Sequence, residues 1–242
     1  MGLKAWWERL LRLVYPEEKC ICCGRDLEER GICPDCESEL YYPEGNRCVR
    51  CSRPIPGEGD YCYSCEQMTY TYDSMRAVTV YDGSMRRMML RYKEYNKARL
   101  GEYFASLLVD EVRSTEADVI AYVPSGSAIE GVRGFSHVGV IADLVSAETG
   151  IPVVDVLHRS GKAKQSRRSA KERIKEIKRE YTLTDREPVK GKRVVLIDDI
   201  YTTGSTVEVC TKLLKRGGAT RVDVRTVAIA VWDRQKRDAS RP

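Results

Sequence analysis

Two rhythms of apolar positions run through the chain from about residue 77. Ala77–Tyr81, Asp118–Val123, Pro152–Leu157, Arg193–Ile197 and Arg221–Val231 are short runs rich in branched apolar residues, the pattern of strands. Between them, Met85–Tyr95, Lys97–Arg113, Phe135–Thr149 and Thr206–Arg216 place apolar residues at helical spacing. The second of these puts Leu100, Phe104, Leu107 and Leu108 on one face. Gly150 and the pair Gly217-Gly218 supply C-terminal stops. Strand and helix in alternation predict an α/β domain over residues 70–242, a parallel sheet with helices on both faces. Ligands of such sheets lie outside the carboxyl ends of the strands, so the loops after the strands are where chemistry is expected.

The first third of the chain follows neither rhythm. Residues 16–68 are poor in aliphatic side chains and rich in Cys, Gly, Pro and Tyr, too little to build a core unaided. Ahead of them, residues 1–15 read as a short amphipathic helix that docks on the protein or on a partner. Glu8, Arg9 and Arg12 break the apolar run that a secretory signal needs, and contact with a membrane surface is the minor alternative. No apolar run in the 242 residues is long enough to span a membrane, and the expected location is cytoplasmic. The formal charge of +5 permits a polyanionic substrate or partner without requiring one.

Ten cysteines change the picture, because nine of them fall between Cys20 and Cys65. Eight form four C-x-x-C pairs: Cys20/Cys23, Cys33/Cys36, Cys48/Cys51 and Cys62/Cys65. Each such turn aims two thiolates at one point, and two turns complete a tetrahedral site suited to Zn²⁺. The reading is two structural zinc sites, paired first with second and third with fourth, with an interleaved pairing also open. Disulfides would suit a secreted chain, and iron–sulfur clusters would accept four cysteines per site as well. Cys22 reads as a spectator between the first two ligands, and Cys210 as a small buried helix residue.

The segment Val194–Thr206, VVLIDDIYTTGST, carries the most chemistry. A buried strand leads to Asp198 and Asp199, then to Thr202, Thr203, Gly204, Ser205 and Thr206, then to a helix. Backbone N–H groups, hydroxyls and a helix N-terminus make a site for a phosphate monoester, and Gly204 lets the backbone come close. Two carboxylates would repel that phosphate, so they suit ribose hydroxyls and a metal ion instead. An ordinary capped helix accounts for only one of the hydroxyls. Together these residues describe a sugar phosphate lying across a strand end.

That string resembles the phosphoribosyl pyrophosphate (PRPP) signature of type I phosphoribosyltransferases. With the four knuckles upstream, residues 10–231 resemble the ComF family, competence-associated proteins with an N-terminal double zinc ribbon. The resemblance implies a type I phosphoribosyltransferase-like fold. It implies that Asp198 and Asp199, the catalytic pair, hold the ribose 2′ and 3′ hydroxyls while Thr202–Thr206 hold the 5′-phosphate. It places Pro124, Ser125 and Gly126 at the pyrophosphate loop, with VPSG where the family usually has VPVP. Arg133-Gly134-Phe135 matches an R-G-F motif whose usual Asn-Gln is Ser136-His137 here. Arg159 through Gln165, with Lys162, match a basic stretch expected to meet the pyrophosphate, but Arg167-Arg168 replace the usual Gly-Leu and Glu176 a usual Asn. These departures fall on the side of the second substrate and leave the acceptor unidentified.

Arg159–Arg179 holds ten Lys and Arg residues. It reads as a solvated helix, as a mobile loop closing on pyrophosphate, or as a contact to a nucleic-acid backbone. His137 and His158 read as non-ligands. The function expected is Mg²⁺-dependent transfer of phosphoribosyl from PRPP to an acceptor. The rival is a non-catalytic PRPP-binding accessory protein that contacts single-stranded nucleic acid, or a protein partner through the ribbon.

Overall fold

The computed structural model describes residues 18–55, 57–95, 98–124, 136–160 and 180–231. The N-terminal helix, Ser125, Gly126, the R-G-F motif and nearly all of the basic stretch, Lys162 included, lie outside the described residues. The chain starts with two knuckle modules. In the first, β1 (Glu18–Lys19) pairs antiparallel with β2 (Asp26–Leu27) around the Cys20–Cys23 turn, and α1 (Pro34–Glu37) carries the second knuckle. In the other, a bridge between Arg47 and Pro54 encloses the Cys48–Cys51 turn, and α2 (Tyr63–Glu66) carries Cys65.

A parallel four-stranded sheet follows, in the order β3 (Ser74–Val80), β8 (Arg221–Ile229), β7 (Arg193–Tyr201), β4 (Val119–Tyr122). Helices α3 (Gly83–Tyr95), α4 (Ala98–Arg113) and α5 (His137–Thr149) pack on one face. Helix α6 (Ser205–Arg216) packs on the other. β7 shows why: Val195 and Ile197 join the core under α3–α5, while Val194 and Leu196 join the core under α6. All four of these side chains are fully buried, as a central parallel strand requires. Helix α5 ends as its glycine predicts, with Gly150 in the left-handed region at φ 74°.

The sequence reading differs from the structure in one strand. Pro152–Leu157 is not a strand: it meets the sheet only where Val153 bridges Ile120, held by Ile120 N–H to Pro152 O and Val154 N–H to Ile120 O, both 2.8 Å. Pro152 has no N–H to extend that ladder. The chain then leaves the sheet and forms β5 (Leu157–Arg159), paired antiparallel with β6 (Tyr181–Leu183) as a separate ribbon beside α6. The other departure is of length: β7 does not stop at Ile197 but runs on through Tyr201, so Asp198 and Asp199 sit inside the strand.

Each knuckle module packs on a different face of the sheet. Cys20, Cys33 and Cys36 of the first are part of the core with Met85, Met88 and Val195, while Cys23 is exposed, and the four cysteines of the second share a core with Tyr72, Leu196 and Val207. The first is further tied by ion pairs from Arg99 to Glu18 at 2.6 Å and from Arg30 to Glu102 at 2.9 Å. Edge strand β3 also gives its Val80 N–H to Tyr41 O, 2.7 Å away in the knuckle region. No helix among the described residues is long and apolar enough to cross a membrane.

Candidate functional site

The carboxyl ends of β4 and β7, the start of α5 and the β5–β6 ribbon surround a cavity of about 290 Å³. Asp198, Asp199, Thr206, Pro124 and Arg159, all expected site residues, line it. Lys93 from α3, His137 at the start of α5, and Tyr181 from β6 line it too. His137 stands at the last position of the R-G-F motif but was read as a non-ligand, and Lys93 and Tyr181 carry no motif, so that only the fold brings those two in.

The two aspartates face different surroundings. Asp198 is buried, and its Oδ1 accepts the Asp199 backbone N–H at 2.9 Å. Burial first, and the neighbouring Asp199 charge second, hold its carboxyl well above the usual carboxylate range, against the opposing pull of that hydrogen bond and of Lys93. Asp199 pairs with the Lys93 ammonium at 2.5 Å. The site therefore presents one buried carboxyl whose ionisation is disfavoured and one carboxylate–ammonium pair. Arg159 gives Nε and Nη2 to Glu180 Oε2 at 3.1 and 3.0 Å and lies 5.4 Å from the centre of the Tyr181 ring. This arginine enters the cavity as one half of an ion pair.

The threonine loop divides between two cavities. Thr206 opens on the one just described, whereas Thr202 and Thr203 line a smaller one, about 150 Å³, shared with Cys51, Cys65, Arg53 and Tyr70. Gly204 is the N-cap of α6 with φ 76°, a left-handed conformation that glycine adopts freely. A Cβ there would stand 2.2 Å from the Tyr201 hydroxyl and 2.7 Å from its ring, so only glycine fits. Gly204 has no side chain to cap α6, and the first N–H of the helix, that of Ser205, donates to Thr203 Oγ1 at 3.4 Å. The Thr203 and Ser205 hydroxyls lie 3.0 Å apart.

The cysteine clusters meet the demands of a structural metal site. The sulfurs of Cys20, Cys23, Cys33 and Cys36 lie within 4.8 Å of one another, and so do those of Cys48, Cys51, Cys62 and Cys65: the pairing is sequential. Burial alone would push the Cys20 thiol up, but backbone N–H groups of Cys23, Cys33 and Cys22 together bring it down to about 6. Four thiolates per cluster suit a tetrahedral Zn²⁺ closed to substrate. Cys22 belongs to neither cluster and points at Ser84 O, 3.9 Å away. The ten cysteines are free thiols, and Cys210 is fully buried.

Comparison with known proteins agrees with both modules. The double zinc ribbon domain matches residues 10–66, and the phosphoribosyl transferase domain matches residues 132–241. Competence protein ComFC of Streptococcus pneumoniae is 27% identical over 87% of this chain and 99% of its own length. Over most of its length the chain is similar to competence proteins of the ComF type. Competence protein F of Haemophilus influenzae is 25% identical over 85% of the chain and 94% of its own length, and DNA utilization protein YhgH of Salmonella typhimurium is 28% identical over 85% and 87%. The two matches together join a double zinc ribbon domain to a phosphoribosyl transferase domain in one polypeptide.

Proposed function

We propose that this chain binds PRPP across the end of β7 and transfers its phosphoribosyl group to an acceptor, releasing pyrophosphate. The observation that carries the reading is the meeting of Asp198, Asp199, Thr206, Pro124 and Arg159 around one cavity within a phosphoribosyltransferase domain. The 5′-phosphate would rest on the N–H groups and hydroxyls of Thr202–Thr206. Asp198 and Asp199 would accept the ribose hydroxyls. Ser125, Gly126 and Lys162, with Arg159, would face the pyrophosphate. Adjacent carboxylates are the hard oxygen donors that Mg²⁺ prefers, and Mg²⁺ entering with PRPP would neutralise the leaving pyrophosphate.

The residues on the chain act by position and charge. Asp199 would turn from Lys93 to the ribose hydroxyls, with the Lys93 ammonium remaining in the wall of the cavity. Hydroxyl donors and a cation bound there would favour the ionised form of Asp198, against the burial that disfavours it. The Glu180–Arg159 pair opens to let the guanidinium turn to the pyrophosphate. As that group leaves, the anomeric carbon becomes cationic, and the adjoining carboxylates favour that charge. The reading needs no nucleophile on the protein.

Calorimetric titration of PRPP with Mg²⁺ tests this beside the Asp198→Asn/Asp199→Asn double variant. Saturable binding lost in the variant supports it; absence of binding to the wild-type chain refutes it.

A second reading has support of its own. Its relatives are named for competence and for DNA utilization. The knuckle modules expose Tyr41, Tyr42, Tyr61 and Tyr63, and the Arg50 guanidinium lies 5.0 Å over the Tyr61 ring. Such rings can stack on unpaired bases. Binding of single-stranded DNA that falls steeply with salt, and is unchanged in the double variant, favours this role over transfer.

A further inference from the structure

The small cavity between the second knuckle module and the threonine loop holds an arginine that the proposed transfer does not use. Arg53 is only 3% exposed, and among the described residues no carboxylate pairs with it. Its Nε is buried with no hydrogen-bond partner. An unpaired guanidinium is costly to bury, so something in the fold must hold it there. Two neighbours do. Cys51 and Cys65 line the same cavity, and as thiolates they would offset the positive charge. On the other side, Arg53 Nη2 donates to Thr202 O at 2.9 Å, across 149 residues of sequence. Tyr70, in the linker after the knuckles, donates its hydroxyl to the next carbonyl, Thr203 O, at 3.3 Å.

Those two carbonyls fix the direction of two N–H groups. No peptide bond here is cis. In a trans peptide the C=O and the following N–H point opposite ways. Holding Thr202 O and Thr203 O toward the knuckle module turns the N–H groups of Thr203 and Gly204 away from it. Among the described residues, neither N–H donates to a protein group. The same linker also holds the start of the helix: Glu208, one turn into α6, accepts from the Thr71 N–H and hydroxyl at 2.7 and 2.6 Å.

We infer that Arg53 and Tyr70 are positioning residues for the phosphate loop, so that the second knuckle module shapes the ribose-phosphate half of the site. This inference rests on the reading that Thr202–Thr206 bind a phosphate monoester. It assigns the module a task beyond its own fold: presetting the donors that a phosphate accepts, so that they need no reordering when it arrives.

The test titrates ribose 5-phosphate, by calorimetry, into full-length zinc-loaded protein and into the Arg53→Met, Arg53→Lys and Tyr70→Phe variants. Zinc content and melting temperature are read for each. Arg53→Met is expected to weaken binding by about ten- to a hundredfold, as for loss of a charge-assisted hydrogen bond, while both zinc ions stay bound. Arg53→Lys keeps a cationic donor and should recover part of that loss. Tyr70→Phe removes one neutral hydrogen bond and should weaken binding about threefold. If the wild-type chain binds no ribose 5-phosphate, the functional reading itself falls and this inference with it. If the wild-type chain binds and the variants match it, the inference alone is overturned. It is also overturned if Arg53→Lys loses affinity, zinc and melting temperature as fully as Arg53→Met. Should Arg53→Met fail to fold, Tyr70→Phe decides the matter by itself.

Discussion

Asp198 carries a conflict between stability and ligand binding. Its carboxyl titrates well above the usual carboxylate range because it is buried beside Asp199. The folded chain therefore holds a proton that the unfolded chain releases near pH 4. The contribution of Asp198 to stability is greatest below that point and declines as pH rises toward the folded-state value. Asp198→Asn removes the decline. Thermal melts of the two proteins should nearly coincide near pH 4 and separate as pH rises to 7, with the Asn variant melting higher, although it should bind PRPP poorly. At Gly204 the constraint is steric. Gly204→Ala demands a left-handed alanine driven into the Tyr201 ring, and denaturant unfolding should show a loss of about 2 kcal/mol or more. The glycine was legible in the sequence because the residues around it spell an anion loop. Lys93 was not legible, since helical periodicity says nothing of which strand end a helix residue will reach, whereas His137 was marked only by its place after the R-G-F motif.

Strand β7 and helix α6 were readable because four branched apolar residues precede the acidic pair and a Gly-Ser-Thr turn opens the helix. That β7 extends to Tyr201 was not readable, because two aspartates and a threonine loop look like the end of a strand. What extends it is a neighbour: β8 pairs with it as far as Tyr201 and Ile229, and the Tyr201 hydroxyl meets the Tyr72 hydroxyl at 3.0 Å in the core. Tyr72→Phe would leave the Tyr201 hydroxyl buried without that partner. The expected loss is about 1–3 kcal/mol, measured by urea unfolding, with the fold retained. The run Pro152–Leu157 shows the opposite failure. Its apolar residues look like a strand, but proline and a single bridge detach it, and its continuation pairs with β6, a three-residue strand too short to announce itself.

Across the whole molecule, the cysteine spacing told that two four-sulfur clusters form, but not where they sit. Each cluster is built into a core on its own face of the sheet, so the sheet and the metal sites should lose structure together. Chelation of zinc is expected to lower the single melting transition of the chain by about 10 °C or more. A sheet that melted unchanged after metal loss would show the modules to be independent. Order of synthesis gives this arrangement a further consequence. Arg53 must wait for Thr202, which is made 149 residues later. At roughly 5–20 residues per second that is an interval on the order of 10–30 s. Through that interval the eight cysteines have left the ribosome without the sheet that will bury seven of them, and modules with so few aliphatic residues can close only around metal. The nascent chain therefore needs its zinc before it has the fold that the zinc will serve.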